Sequence, residues 1–219
     1  MPEAVVTPVF YLHGFASSAQ STKAGYFADR LREHGIPLQR PDLNEPDFAT
    51  MTLTRMLERI DVELRAVDRP AVLMGSSLGG MLAILAAGRF PDRIARLVLM
   101  APAVMFAKPG HHLLPSDRID EWRRLGALPF FHYGHRKEML LGFSFYQDSL
   151  GHDAFETLFP QPALVFQGLR DTSVDYRTVE AFARDRPNVT LSLLEDDHQL
   201  IASLPRMWDD IAPFLGLTR

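Results

Sequence analysis

Residues 72–88 read VLMGSSLGGMLAILAAG: an apolar run, two serines among glycines, then a second apolar run. The first run is short and unbroken, as a strand buried on both faces reads, and the second has the length of a helix. Between them, Gly75-Ser76-Ser77-Leu78-Gly79 fits the pattern G-x-S-x-G with Ser77 at its centre. A strand that turns directly into a helix forces the middle residue into a strained backbone conformation. It also brings helix and strand so close that small residues are required, and Gly75, Gly79 and Gly80 supply them. The turn lifts the Ser77 hydroxyl off the sheet and aims the Leu78 amide, at the positive end of the helix, into the same space. The pentapeptide alone is a common coincidence. Its place between a buried strand and a helix sets it apart from a glycine-rich turn used only for packing.

Outward from this turn, short apolar runs alternate with longer periodic ones. Strands are expected at 5–12, 38–40, 71–75, 96–101, 163–168 and 190–194. Helices are expected at 22–34, 52–67, 78–89, 176–184 and 200–215, the last broken at Pro205. Such alternation implies right-handed crossovers and an α/β fold, with a mainly parallel sheet of about six strands covered by helices on both faces. Ligand sites in such sheets form outside the carboxyl ends of the strands. The whole chain, 1–219, reads as one domain.

The segment 103–161 departs from the pattern: it shows no clear strand, yet holds ten of the 22 aromatic residues. So long a connection is usually functional or carries its own structure. It reads as a helical cap inserted over the strand ends, or as a helical subdomain filling its own small core.

A serine hydroxyl is a poor nucleophile until a base takes its proton and an acid orients the base. Asp171 follows the buried run at 163–168, and His198 follows the run at 190–194. Ser77, Asp171 and His198 thus all fall just beyond carboxyl ends of strands, in the chain order this chemistry uses on parallel sheets. Asp175 stands where the next helix begins and reads as a helix-start residue. The oxyanion of the tetrahedral intermediate needs donors, which the Leu78 amide and the Phe15 amide, in the turn after the first strand, are placed to give. His13 reads as a structural turn residue. His111 with His112, and His132 with His135, lack the neighbouring acids or cysteines of a metal centre, so no metal is expected. There is no phosphate-binding glycine loop, so no nucleotide is expected either.

Composition narrows the class. A net charge of −4 gives no basic footprint, so nucleic acid is not an expected partner. There is no cysteine, hence no disulfide framework. The amino-terminal MPEAVVTPVFYLHG lacks the features of a signal peptide, and no apolar stretch is long enough for a membrane span, so a cytoplasmic location is expected.

In their order and spacing, VFYLHGFASS, VLMGSSLGG, LVLMAPA, LVFQGLRDTSV and EDDHQL resemble the α/β-hydrolase superfamily, and the opening YLHGFASSAQSTKAGYFADRL with its following PDL is most similar to the compact bacterial YqiA-like esterase branch. The resemblance implies Ser77 as nucleophile, His198 as general base, Asp171 as its orienting acid, and the Phe15 and Leu78 amides as the oxyanion hole. It also implies an internal first strand and no cofactor. The sequence departs from the superfamily in lacking the antiparallel strands that often precede the HG strand, and from the compact branch in its longer cap.

The expected reaction is acyl transfer to water through an acyl-enzyme, on a small-molecule carboxylic ester or an acyl thioester. The aromatic cap suits an apolar acyl or aryl group. Epoxide and haloalkane chemistry would need Asp in place of Ser77. The other readings are an acyltransferase that excludes water under the cap and a non-catalytic receptor of the same fold. A receptor has no need of Ser, Asp and His in register.

Overall fold

A computed structural model describes residues 7–108, 110–111 and 114–217. Six strands form one sheet: β1 (Val9–Leu12), β2 (Leu38–Gln39), β3 (Ala71–Ser76), β4 (Ile94–Met100), and two beyond the long insertion. The insertion contributes a separate pair, β5 (Ala127–His132) and β6 (Lys137–Gly142), after which the main sheet resumes with β7 (Ala163–Gly168) and β8 (Val189–Leu194). The main sheet runs β2-β1-β3-β4-β7-β8 and every pairing in it is parallel. The first strand is internal, as the resemblance implies. Residues 5 and 6 of the expected first strand lie outside the described residues.

Parallel pairing puts all carboxyl ends on one edge, in register: Leu12 beside Gly75, Ser76 beside Met100, and Gly168 beside Leu194. The chain order reverses between β1 and β3, the switch point at which such sheets bind ligands.

The helices are α1 (Thr22–Glu33), α2 (Leu53–Arg65), α3 (Leu78–Arg89), α4 (Ser116–Leu125), α5 (Ser144–Ser149), α6 (Tyr176–Arg184) and α7 (Leu204–Phe214). Side chains of the oxygen-bearing type that start helices do so here: Ser21, Thr52 and Asp175 each accept a hydrogen bond from an amide in the first turn of α1, α2 and α6. Successive strand residues feed opposite cores. Phe10, Leu12, Leu73, Leu97 and Val165 pack with α2, α3 and α6. Val9, Tyr11, Met74, Val98 and Phe166 pack with α1 and α7. Burial on both faces is why these strands read as unbroken apolar runs.

Two expectations need correction. The last helix starts at Leu204 rather than 200, with Pro205 in its first turn. A proline there has no amide to lose, so it opens the helix instead of breaking it. Residues 103–161 are not purely helical: between α4 and α5, β5 and β6 pair antiparallel from Ala127↔Gly142 to His132↔Lys137. In β5, Leu128 and His132 are buried while Pro129 and Phe131 face outward. The hairpin is held by Trp122, whose ring meets Phe130 at 5.1 Å and whose Nε1 donates to the Leu141 carbonyl at 2.8 Å. Trp122, Leu141, Phe145 and Phe159 join the same core as α2 and α3. Among the described residues no helix is long and apolar enough to cross a membrane.

The fit of α3 against β1 sets a limit that can be measured. A Cβ added at Gly79 would stand 2.0 Å from the Leu12 carbonyl oxygen, whereas one added at Gly25 in α1 meets nothing within 4 Å. Gly79→Ala is expected to cost about 3 kcal/mol or more by overpacking, a fall of roughly 10 °C in Tm. Gly25→Ala is expected to raise stability by about 0.5–1 kcal/mol through helix propensity. Thermal melts of the two variants check both signs.

Candidate active site

Ser77 sits at φ 54°, ψ −116°, between the end of β3 and the start of α3. A non-glycine residue there carries strain on the order of 1–3 kcal/mol. The surroundings hold it: its amide donates to the Met100 carbonyl at 2.9 Å, and its carbonyl accepts from Gly80, Met81 and Ala103 at 2.9, 3.1 and 3.1 Å. Side chains at neighbouring positions would block the turn, since a Cβ on Gly75 would meet the Gly79 carbonyl oxygen at 2.3 Å. The two serines part company. Ser76 is buried beside the Tyr11 hydroxyl, whose pKa burial pushes up to about 12. Ser77 faces His198.

The Ser77 Oγ lies 3.1 Å from His198 Nε2, and His198 Nδ1 lies 2.7 Å from Asp171 Oδ2. A carboxylate only accepts, so Nδ1 carries the proton and donates, leaving the Nε2 lone pair for the serine hydroxyl. The Asp171 side chain is fully buried, and each of its oxygens is engaged. Oδ1 accepts from the Ser173 and Val174 amides, both at 2.8 Å, and Oδ2 accepts from His198 and from Gln167 Nε2 at 2.9 Å. Burial works to raise this carboxyl, but the hydrogen bonds from His198 and Val174 outweigh it and hold the group below the ordinary carboxylate range. Asp175 instead caps α6, accepting from the Arg177 amide at 2.9 Å.

Residues the sequence did not single out bring these loops together. A Cβ on Gly168 would stand 2.5 Å from the Asp196 carbonyl oxygen, so this glycine lets the Asp171 loop pass directly against the His198 loop. Asp196 braces the latter, accepting from the Asp197 and Ser203 amides at 2.8 and 2.9 Å. Gln167 anchors Asp171 from inside the core. Glycine at a strand end was the one such signal visible in the sequence.

The Leu78 amide is in the first turn of α3, where helix amides lack intrahelical acceptors. The turn after β1 reaches the same place: a Cβ on Gly14 would lie 3.4 Å from Ser77 Cβ, and Phe15 is the next residue. His13 holds this turn, its Nε2 accepting from the Leu43 amide at 3.1 Å and its Nδ1 facing the Gly14 carbonyl at 3.0 Å. The hairpin adds a second clamp, the Tyr133 amide donating to the Ala16 carbonyl at 2.7 Å. The Phe15 ring contacts Phe48, Phe130 and Phe145 at centroid distances of 5.9, 5.6 and 5.5 Å. Phe106 meets Phe145 at 5.9 Å, extending this aromatic cluster.

The remaining histidines take other places. His132 is buried, accepts from the His135 amide at 3.2 Å, and has its pKa pushed down by burial and then by His135. His111 is exposed, and His112 lies outside the described residues. Among the described residues no group of three or more His, Cys, Asp or Glu side chains is arranged to hold a metal ion.

Solved structures share this architecture. Est1E from Butyrivibrio proteoclasticus, solved with ferulic acid bound, is 20% identical, with 96% of this chain and 88% of that one covered at a TM-score of 0.81. Mouse alpha/beta hydrolase domain-containing protein 10 is 21% identical over 95% of this chain and 89% of its own, at 0.80. A monoacylglycerol lipase from Paleococcus ferrophilus is 16% identical over 95% of each chain, at 0.78. At these identities the likeness shows the fold, which is the α/β-hydrolase fold. No match was found among proteins with curated descriptions. The sequence profile described as Uncharacterised protein family (UPF0227) matches residues 8–214, and the chain belongs to that family.

Proposed function

We propose that this protein is a serine hydrolase that cleaves carboxylic esters, with acyl thioesters as the nearest alternative substrates. The observation that carries the reading is the hydrogen-bonded chain from Ser77 through His198 to Asp171, set at the switch point of the sheet. His198 Nε2 takes the Ser77 proton as Oγ attacks the ester carbonyl, and Asp171 steadies the imidazolium that forms. The Phe15 and Leu78 amides receive the oxyanion, a stabilisation worth about 3 kcal/mol per donor in comparable sites. His198 then protonates the departing alkoxide. Water, activated by the same nitrogen, attacks the acyl-enzyme and frees the acid and Ser77. No step draws on a cofactor.

Residues 103–161 act in this reading as the cap that selects the acyl group. Trp122 and Phe145 are 0% exposed and belong to the core, while Phe131 is 50% exposed and pairs with Tyr133. Phe106 and Phe130 are half-buried at the aromatic cluster around Phe15, and we assign them to the acyl pocket. An aryl acyl group, such as the ferulic acid held by the Butyrivibrio structure, suits such a lining. Phe130→Ala removes contact worth roughly 1.5–3 kcal/mol. It is expected to shift the ratio of kcat/KM between aryl or long-chain and acetyl esters by about 10–200-fold. Trp122→Ala is expected instead to cost roughly 3–5 kcal/mol of stability. Chain-length profiles read beside melting curves separate the two.

The reading itself is tested on p-nitrophenyl esters of graded chain length, with aryl esters and acyl-CoA thioesters alongside. Turnover of esters is the expected result. Folded protein that cleaves none of them would overturn it.

A further inference from the structure

Lysine is almost never fully buried unless something engages it. Lys23, in the first turn of α1, is only 6% exposed. Its Nζ donates to the Gln199 carbonyl at 2.9 Å, across 176 residues of chain. Among the described residues no carboxylate lies in ion-pair contact with it. Asp171, from the loop after β7, and Asp196 and Asp197, from the loop after β8, act on it through space.

The bonded carbonyl is one residue past His198. Within that turn the Gln199 amide donates to Asp197 Oδ1 at 2.8 Å and the Leu200 amide to the Asp197 carbonyl at 3.2 Å, while just before it the Arg170 amide donates to the Asp196 carbonyl at 3.0 Å. Leu200 follows at φ 54°, so the chain reverses sharply just beyond the histidine. The imidazole must meet Asp171 and Ser77 at the same time, and a small rotation of the Gln199 peptide would swing it off one of them. We propose that Lys23 is a positioning residue for His198, tethering the Asp197–Gln199 turn to α1 in the one setting that serves both partners. This rests on the hydrolase reading above.

Burial pushes the Lys23 pKa down to about 8, against the pull of Asp171, Asp197 and Asp196. The ammonium is therefore the working form below that pH. As pH rises through about 8 the amine becomes neutral and a weaker donor, and the tether slackens.

The test measures p-nitrophenyl butyrate hydrolysis and fluorophosphonate labelling from pH 6 to 10 for the wild type, Lys23→Met and Lys23→Arg. The wild type should lose activity above about pH 8. Lys23→Met should lower kcat by about 10–100-fold, as small misplacements of a catalytic group do, with KM little changed. In either variant the alkaline fall should vanish, because nothing at this position then titrates. If Lys23→Met does not fold, the Lys23→Arg profile decides. A wild type without the alkaline fall, or a variant that keeps it, overturns the proposal. So does a Lys23→Met protein with wild-type kcat. A wild type that neither turns over ester nor takes up fluorophosphonate defeats the hydrolase reading first, and this proposal with it.

Discussion

Replacing Ser77 by alanine is expected to lower kcat by about 10⁵–10⁶-fold, the loss seen when a triad nucleophile is removed. Alanine keeps the backbone strain of φ 54° and leaves Gly75 and Gly79 packed as before. Only one hydrogen bond disappears, the one from Ser77 Oγ to His198 Nε2. Stability should therefore hold, and circular dichroism melts should superimpose. The residual rate should reflect the oxyanion donors and substrate binding alone. Ser76→Ala is the matched control, because Ser76 faces Tyr11 and not the histidine. A Ser77→Ala protein within tenfold of the wild-type rate would remove the nucleophile from the account.

Asp171→Asn is expected to lower kcat by about 10⁴-fold. An asparagine amide in place of Oδ2 would donate toward Nδ1 and force the proton onto Nε2, where the serine needs a lone pair. It would also confront Gln167 Nε2, donor against donor. Asp175→Asn should change little, since asparagine caps a helix as well as aspartate does. The two variants also differ in acid. Because the Asp171 carboxyl is held below the ordinary range, its ionisation adds stability that is present above that range and lost as pH falls through the lowered value. Melts across pH 2–6 should show that this acid-dependent loss shrinks in Asp171→Asn and persists in Asp175→Asn.

The inner strands of the main sheet were legible because burial on both faces leaves them almost wholly apolar, as in Val9–Leu12 and Ala163–Gly168. Ala163–Gly168 and Tyr176–Arg184 lie where the sequence places them. The hairpin was hidden for a physical reason. Its outer face carries Pro129, Phe131 and Leu140, and the last two are 50% and 58% exposed, so the alternation that marks a half-buried strand is blurred. Pro129 also argues against a strand, and it is tolerated here in an isolated two-stranded pair with open edges. At the site, Ser77, Asp171 and His198 stand at strand ends in a chain order that the sequence displays. Lys23 and Gln167 could not be found that way. Their importance lies in partners brought to them by the fold, Gln199 for one and Asp171 and Val174 for the other. A lysine in the first turn of a helix reads as a solvated charge until α1 is laid against the loop after β8.

The most direct test of the central claim is to treat the native protein with a fluorophosphonate and locate the adduct by peptide mass mapping. A single adduct is expected, carried by Ser77, and none on heat-unfolded protein, where His198 no longer activates the hydroxyl. An adduct on Ser76, or ester turnover by a protein that takes up no label, would contradict it.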